Sequence, residues 1–276
     1  MVKCRCGGWW LVGLSFAVLA LHGCSEDGLR ADFEAAELAL AGGRYIEAER
    51  LYRRIVKEDP AGPLAPKSQY RLGFIYDHYL DDASRALDAY EVLLGSYPGS
   101  PEAAEARGRR AELYSRLGAH RKAIEDYQVL KELARGPGKA DYQFRIAMEY
   151  LKMNDLRQAR IELGEIVKAD PASELAPRVY FHTASTYYIE GELARAVENY
   201  ERVMRDFPDD PLALEAAIGM AAALEESGDL EGALRMLRSV EKRYPNSGVV
   251  TTRIGRIEKR LGKRPGSKAE KGRRRR

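Results

Sequence analysis

The chain has 276 residues, a formal net charge of +3 and three cysteines. The length allows two globular domains or one repeat array. Cys4 and Cys6 lie within the first six residues, so the rest of the chain has Cys24 alone, which excludes a disulfide framework and a thiolate metal cluster there. The charge is uneven, because residues 1–23 carry +2 and residues 263–276 carry +7, which leaves −6 for residues 24–262. Nucleic-acid-binding domains usually carry basic residues across one face of the fold, whereas residues 24–262 are acidic overall, so we expect no nucleic-acid partner.

The N-terminus has the features of an export signal. Lys3 and Arg5 precede the uncharged run WWLVGLSFAVLAL, whose 13 residues are fewer than the roughly 20 that a membrane-spanning helix needs. The segment Leu21-His22-Gly23-Cys24 then resembles the lipobox of bacterial lipoproteins, although His22 stands where a small residue is usual. Two alternatives remain open: an ordinary secretory signal with a chance cysteine, and a retained apolar N-terminus.

The lipobox resemblance implies a mature protein that begins at Cys24. Residues 1–23 would be removed as a signal peptide, Cys24 would carry covalent lipid, and residues 24–28 would form a short tether. No other cofactor is expected. Ser25 follows the cysteine, and the absence of an aspartate there favours the periplasmic face of the outer membrane. Two or more acyl chains, each contributing about 0.8 kcal/mol per buried methylene, would hold the protein in the cell envelope.

Six copies of one sequence element follow the N-terminal segment. Each copy has an alanine at the same register, with spacings of 38, 37, 36, 37 and 37 residues; these alanines are Ala48, Ala86, Ala123, Ala159, Ala196 and Ala233. Twelve residues beyond five of them stands a proline, which ends a helix because it cannot continue the hydrogen-bond ladder. The third copy has Arg135 instead, with Pro137 close by.

A second helical pattern precedes each of these elements. It carries a small residue at a constant register, namely Ala36, Gly73, Ala111, Ala147, Ala184 and Ala221. Between the two helices five copies have a residue that tolerates the left-handed conformation, namely Gly43, Gly118, Asn154, Gly191 and Gly228. Such a hairpin cannot bury its apolar face alone, so the pattern predicts stacked helix pairs.

The arrangement of small, Gly, Ala, aromatic and Pro positions resembles the tetratricopeptide repeat over residues 29–247. The resemblance implies an all-α fold, a right-handed α-solenoid of about six helix-turn-helix repeats. Residues 248–262 should form a capping helix, since the stretch from Val249 to Leu261 has a charged face that can point to solvent while its other face covers the last repeat. The junctions YPGSPEAAEA and FPDDPLALEA are similar to those of two envelope families, BamD of the β-barrel assembly machine and YbgF/CpoB of the Tol-Pal system.

The sequence offers no reactive constellation. His78, His120 and His182 lie in three different repeats, and none stands three or four residues from another His or a Cys, as a helix-borne metal pair would. No nucleophile elbow or phosphate-binding loop is present. We therefore predict no catalytic residue, no metal site and a protein that is not an enzyme. An enzyme accessory or an unrecognised hydrolase remains the alternative from another class.

A binding groove is the remaining site. In the tetratricopeptide family the first helix of each repeat lines the concave face, and aromatic residues beside isolated charges suit an extended peptide or a partner helix. Carrying the family's groove positions across gives Lys67, Tyr70, Phe74, Asp77, Asp141, Phe144, Met148, Leu151, Arg178, Phe181, Ser185 and Tyr188. The alternative is that several of these residues pack between neighbouring repeats.

The tail KRPGSKAEKGRRRR, residues 263–276, should be disordered because it has almost no apolar residue. It is either a solvated extension or a contact to anionic lipid. Together these features predict a lipid-anchored, non-catalytic adaptor that binds other envelope proteins, with a BamD-like role in outer-membrane protein assembly as the leading hypothesis. The alternatives are YbgF/CpoB-like coordination of cell division or the cell wall, and a pilotin-like factor for a secretion or pilus channel.

Overall fold

The computed structural model describes residues 12–262, with side chains described from residue 27 onward. This part of the chain contains helices and no strand, which confirms the predicted all-α tetratricopeptide fold. The helices are α1 (Val12–Ala41), α2 (Tyr45–Glu58), α3 (Ala65–His78), α4 (Ala83–Ser96), α5 (Pro101–Arg116), α6 (His120–Leu133), α7 (Pro137–Lys152), α8 (Leu156–Ala169), α9 (Ala176–Ile189), α10 (Leu193–Asp206), α11 (Leu212–Glu226), α12 (Leu230–Val240) and α13 (Ser247–Gly262).

The chain divides into two compact units, residues 1–130 and 131–276. In the first unit α1 packs on α2, α2 on α3, α3 on α4 and α4 on α5, and α3 also contacts α5. The second unit repeats this scheme from α7 to α12, with a further contact between α9 and α11. Helix α13 packs on α12 and buries Val250, Ile254 and Ile257, so it covers the last helix pair as predicted.

The small residues of the repeat lie where paired helices cross. All six alanines of the second helices are fully buried, as are the small residues of the first helices. Gly73 shows how close the approach is, because a Cβ on it would lie 2.5 Å from Cε1 of Tyr90. Sequence periodicity therefore identified the packing core of each pair correctly.

The turns within the pairs also have the predicted backbone. Gly43, Gly118, Gly191 and Gly228 have φ between 73° and 89°, and Asn154 has φ 59°. The second pair, which has no glycine here, uses Asp81 at φ 49°. Aspartate is among the few residues other than glycine that visit this region readily. Proline has a different role at the third junction, where Pro137 begins α7 instead of ending α6.

One buried ion cluster replaces apolar packing in the first unit. Asp126 of α6 is 3% exposed and accepts hydrogen bonds from Arg107 at 3.0 Å and from both Nε and Nη2 of Arg110, at 2.9 and 2.8 Å. Ala89 stands at the corresponding position of the preceding repeat. A buried carboxylate is tolerated only when it is paired and hydrogen-bonded, so these three residues must act together.

Several predictions fall outside the described part of the chain. Residues 1–11 and the basic tail 263–276 are not described, and residues 12–26 are described only as backbone of α1. The side chain of Cys24, the predicted lipid attachment site, belongs to that stretch. Among the helices that the structure describes, none is long and apolar enough to cross a membrane.

Candidate partner-binding surface

The first helix of each pair carries the predicted groove residues. These helices are α1, α3 and α5 in the first unit and α7, α9 and α11 in the second, and the surfaces they form are called here the first-helix faces.

In the first unit, side chains link successive first helices across the face. Glu37 of α1 receives two hydrogen bonds from Arg71 of α3, at 2.8 and 2.9 Å. The ammonium of Lys67 lies 4.9 Å from the ring centroid of Phe33. Contacts between α3 and α5 continue the series in the pairs Tyr70–Glu105, Phe74–Arg109 and Asp77–Arg116. The face is therefore a row of alternating charges and rings.

An aromatic cluster lies where α3 ends. The rings of Phe74 and His78 stack with centroids 4.2 Å apart, and those of Tyr45 and Tyr79 stack at the same distance. Phe74 and Tyr79 meet edge to face at 5.8 Å, which joins the two stacks. Tyr79 is 43% exposed and His78 is exposed. Large rings held by one another lose little conformational entropy on binding, so this cluster is suited to contact a partner.

Buried hydroxyls and carboxylates fix the positions of the charged residues. Burial opposes the negative charge of Glu37, but hydrogen bonds from Tyr52 and Arg71 outweigh it and lower the pKa of this carboxyl. Burial and the hydrogen bond to Glu105 raise the pKa of Tyr70 to about 12, so the hydroxyl keeps its proton and donates. The charges of this face are thus preorganised by groups beneath them.

The first-helix face of the second unit has a different composition. The guanidinium of Arg178 lies 4.2 Å from the ring centroid of Phe144, and His182 lies between Phe144 and Phe181, with both ring centroids at 5.6 Å. Burial and the neighbouring positive charge of Arg178 lower the pKa of His182. This histidine is therefore held in its neutral form by an apolar, cationic setting.

Further along the same unit the face becomes polar. The hydroxyls of Ser185 and Tyr200 lie 3.1 Å apart. The hydrogen bond that Tyr188 donates to Glu226 raises the pKa of this tyrosine, and burial of the hydroxyl raises it further. Arg253 of α13 donates to Glu225 at 3.0 Å, so the capping helix contributes to this end of the face.

The structure separates the twelve predicted groove residues by exposure. Lys67, Asp141 and Arg178 are exposed, and Tyr70 and Phe144 are buried. The others are partly buried: Phe74, Asp77, Met148, Leu151, Phe181, Ser185 and Tyr188. In the second repeat Tyr70, Phe74 and Asp77 each contact α5, and Lys67 contacts Phe33 of α1. Asp141 lines a cleft of about 740 Å³ in the second unit, together with Asp170 and Glu174. Whether any of the twelve contacts a partner stays a prediction.

Sequence reasoning missed Tyr79, Arg109 and Arg116. Tyr79 follows the end of α3, outside the helical positions carried over from the family, and the two arginines lie on α5, from which no residue was chosen. An exposed aromatic residue beside a turn was the available signal for Tyr79. In the part of the chain that the structure describes, no group of three His, Cys, Asp or Glu residues could hold a metal ion.

Comparison with known proteins indicates a tetratricopeptide-repeat fold. Three family profiles, each described as tetratricopeptide repeat, match residues 17–73 and 144–211, residues 67–100, and residues 187–251. The DnaJ homolog subfamily C member 3 of Gallus gallus is 27% identical over 206 residues, which is 67% of this chain and 40% of that protein. The chain thus spans less than half the length of this curated relative.

Two solved structures show the same fold. A tetratricopeptide repeat protein from Parabacteroides merdae superposes with a TM-score of 0.58 at 18% identity, covering 85% of this chain and 87% of that chain. The pilF protein of Pseudomonas aeruginosa superposes with a TM-score of 0.50 at 14% identity, covering 82% and 96%. Repeats of this kind bind protein partners. The three profiles together match residues 17–100 and 144–251, more than half of the chain, and with the repeating buried alanines and left-handed turns they show that the chain belongs to the tetratricopeptide-repeat family.

Proposed function

We propose that this protein is a non-catalytic adaptor that binds a segment of another envelope protein on the first-helix face of its first unit. The observation that carries the proposal is the exposed aromatic cluster of Phe74, His78 and Tyr79 beside the charged row on α3 and α5. Rings of this size supply contact area, and the flanking arginines supply specificity for carboxylates or carbonyls.

The charged row supports an extended peptide or a helix as the bound segment. Charged and hydrogen-bonding groups are paired along three helices: Glu37 with Arg71, Glu105 with the neutral hydroxyl of Tyr70, and Asp77 with Arg116. Arg116 remains 54% exposed although it is paired, so a partner group can reach it. The carboxylate of Asp77 is buried and keeps its partner, so a partner's carboxylate would bind the remaining N–H donors of Arg116.

The pathway in which the adaptor acts is proposed from the sequence. The junctions between repeats and the lipobox at Cys24 favour a BamD-like role in outer-membrane protein assembly, at the periplasmic face of the outer membrane. A role like that of YbgF/CpoB and a pilotin-like role are the rival proposals. The similarity to pilF of Pseudomonas aeruginosa is a similarity of fold. It neither strengthens nor weakens the pilotin-like proposal.

The partner and the face are tested by crosslinking in bacterial cells. A photoreactive amino acid replaces Tyr79 or Lys67 on the first-helix face, and Ile161 of α8, which is 48% exposed, in the control protein. Capture of β-barrel assembly components at the first two positions, and not at the control, supports the BamD-like proposal. Capture of Tol-Pal, cell-wall or secretin components supports a rival, and equal capture at all three positions contradicts the face.

The anchor is tested separately. Metabolic labelling with a radioactive fatty acid should label the wild-type protein and leave the Cys24→Ser variant unlabelled. Labelling that survives in this variant contradicts the lipobox. Truncation after Gly262 tests the two alternatives for the tail. If the tail contacts anionic lipid, the truncated protein should bind vesicles that contain anionic lipid more weakly, since each basic residue near the surface adds about 1 kcal/mol. Unchanged binding would show that the tail is a solvated extension.

A further inference from the structure

A second surface lies on the other side of α3, between the second helices α2 and α4. It is a cleft of about 480 Å³, here called the second-helix cleft. Its apolar lining comes from Val56 of α2, Leu72 of α3 and Val92 of α4, together with the ring of Tyr76. Val92 is 47% exposed, which is high for an aliphatic residue that faces a cleft. The volume lies within the roughly 300–1,000 Å³ of known binding pockets.

The rim of the cleft is basic. Arg53, Lys57 and Arg85 surround it, with Asp88 as the acidic residue among the lining residues. Arg53 reaches Glu49 at 3.3 Å and is 67% exposed, and Arg85 reaches Asp82 at 2.7 Å and is 53% exposed. The carboxylate of Glu49 is only 11% exposed and keeps its partner, but both guanidiniums have further N–H donors from which an incoming carboxylate can accept hydrogen bonds. The cleft therefore offers an apolar floor with positive charge on its edge.

The second unit closes the corresponding place with its own side chains. Counted from the buried alanine of the second helix, Val92 and Arg202 both stand six residues on, and Arg202 covers the ring of Tyr180 at 4.3 Å. Tyr187, the counterpart of Tyr76, has Arg160 at 4.6 Å and Arg195 at 5.4 Å, and Arg85, the counterpart of Arg195, lies 4.6 Å from the ring of Tyr76, so the difference between the units rests on Val92 and Arg202. In the first unit a valine stands in place of the covering arginine, so the cleft stays open.

We infer that the second-helix cleft is a docking site for an acidic amphipathic segment of a partner protein. An aliphatic side chain of that segment enters between Val56 and Val92, and its carboxylates lie against Arg53, Lys57 and Arg85. Charge complementarity selects this occupant. The chain's own tail, residues 263–276, carries +7 and is repelled by the same rim. This inference concerns a surface different from the first-helix face and does not depend on the adaptor's pathway.

The test uses a displayed library of random peptides selected on the full-length chain. Enriched peptides should combine Asp or Glu with Leu, Ile or Val at helical spacing. Two matched variants then locate the binding: Val92→Glu places a carboxylate in the cleft, and Ile161→Glu makes the same change at an equally exposed residue, 48% against 47%. The Val92→Glu protein should bind the enriched peptides more than about ten-fold more weakly, and the Ile161→Glu protein as wild type.

Three outcomes would overturn the inference: enrichment of basic peptides or of none, equal binding by both variants, and a change in sedimentation of the Val92→Glu protein that reveals lost self-association. If Val92→Glu lowers the melting temperature, Lys57→Glu serves instead, because Lys57 is exposed. The Lys57→Glu protein should lose the same affinity for the enriched peptides, and its remaining binding should depend less on salt concentration because one attractive charge is gone.

Discussion

Gly73 allows a close helix approach to be tested with a matched pair of substitutions. A Cβ at Gly73 would lie 2.5, 2.7 and 2.9 Å from three ring carbons of Tyr90, which is fully buried and cannot move aside. A Cβ at Gly108, inside α5 of the same unit, would meet Cδ1 of Leu130 at an ordinary 3.8 Å. Replacing either glycine by alanine removes the same conformational freedom from the unfolded chain, so the two variants differ in the steric contact.

The expected magnitudes have opposite signs. Gly→Ala within a helix contributes about 1 kcal/mol of propensity, so Gly108→Ala should raise the free energy of unfolding by about that amount. Overpacking a fixed core costs about 1–3 kcal/mol, so Gly73→Ala should lower the free energy of unfolding by up to about 2 kcal/mol. The difference between the two variants, about 1–3 kcal/mol, isolates the contact with Tyr90.

Urea unfolding followed by circular dichroism measures both variants, with the double variant Gly73→Ala/Tyr90→Leu as the control for the mechanism. Removing the ring should remove the penalty, because the leucine side chain no longer fills the space above residue 73. If the Gly73→Ala protein is as stable as the Gly108→Ala protein, the inferred close contact between residue 73 and Tyr90 is wrong. The alanine that the other five pairs have at this register would then fit at position 73 as well.

Three further predictions concern polar groups. Asp126→Ala should lower the free energy of unfolding by about 3 kcal/mol, because it leaves Arg107 and Arg110 without their buried partner; a loss below about 1 kcal/mol in urea unfolding would contradict this. His182 has a lowered pKa in the folded state, so it binds fewer protons there than in the unfolded chain and stability should fall as the pH drops below about 6.5; His182→Gln should flatten that part of the profile of unfolding free energy against pH, and an unchanged profile would count against it. Glu37 also has a lowered pKa, so its contribution is present above the unfolded pKa of about 4.3 and is lost as the pH falls further; a Glu37→Gln protein that keeps the wild-type acid sensitivity would refute the assignment.

The repeat architecture could be predicted because its determinants are local and periodic. A small residue every 36 to 38 positions, a left-handed turn five residues before most of the alanines and a proline after the second helix each act through neighbouring backbone. The turn in the second pair escaped this reasoning, because Asp81 supplies the left-handed residue in a turn one residue longer. The third junction escaped it too, since Pro137 can end one helix or begin the next.

The groove was harder to predict than the fold. Helical spacing places Tyr70 and Phe74 on one face of α3, but it does not say that Tyr70 is 6% exposed while Phe74 remains reachable. That difference depends on residues more than 30 positions away, since Glu105 and Arg109 of α5 contact the two rings. The family's positions also omit Tyr79, whose ring is held in the aromatic cluster by Phe74 of the same repeat and by Tyr45 of the first pair.

The sequence by itself determined that this chain is a stack of helix pairs, because each pair repeats the same short-range code of small residues and turns. It also carries a segment ending at Cys24 that resembles a lipobox, and lipid attachment there stays a prediction. Only the tertiary structure decided which side chains remain available to a partner. Val92 and Arg202 occupy the same register, yet one leaves a cleft open and the other covers a ring. The reason is that exposure depends on what neighbouring helices place over a residue, and repeats that share a framework differ in those neighbours.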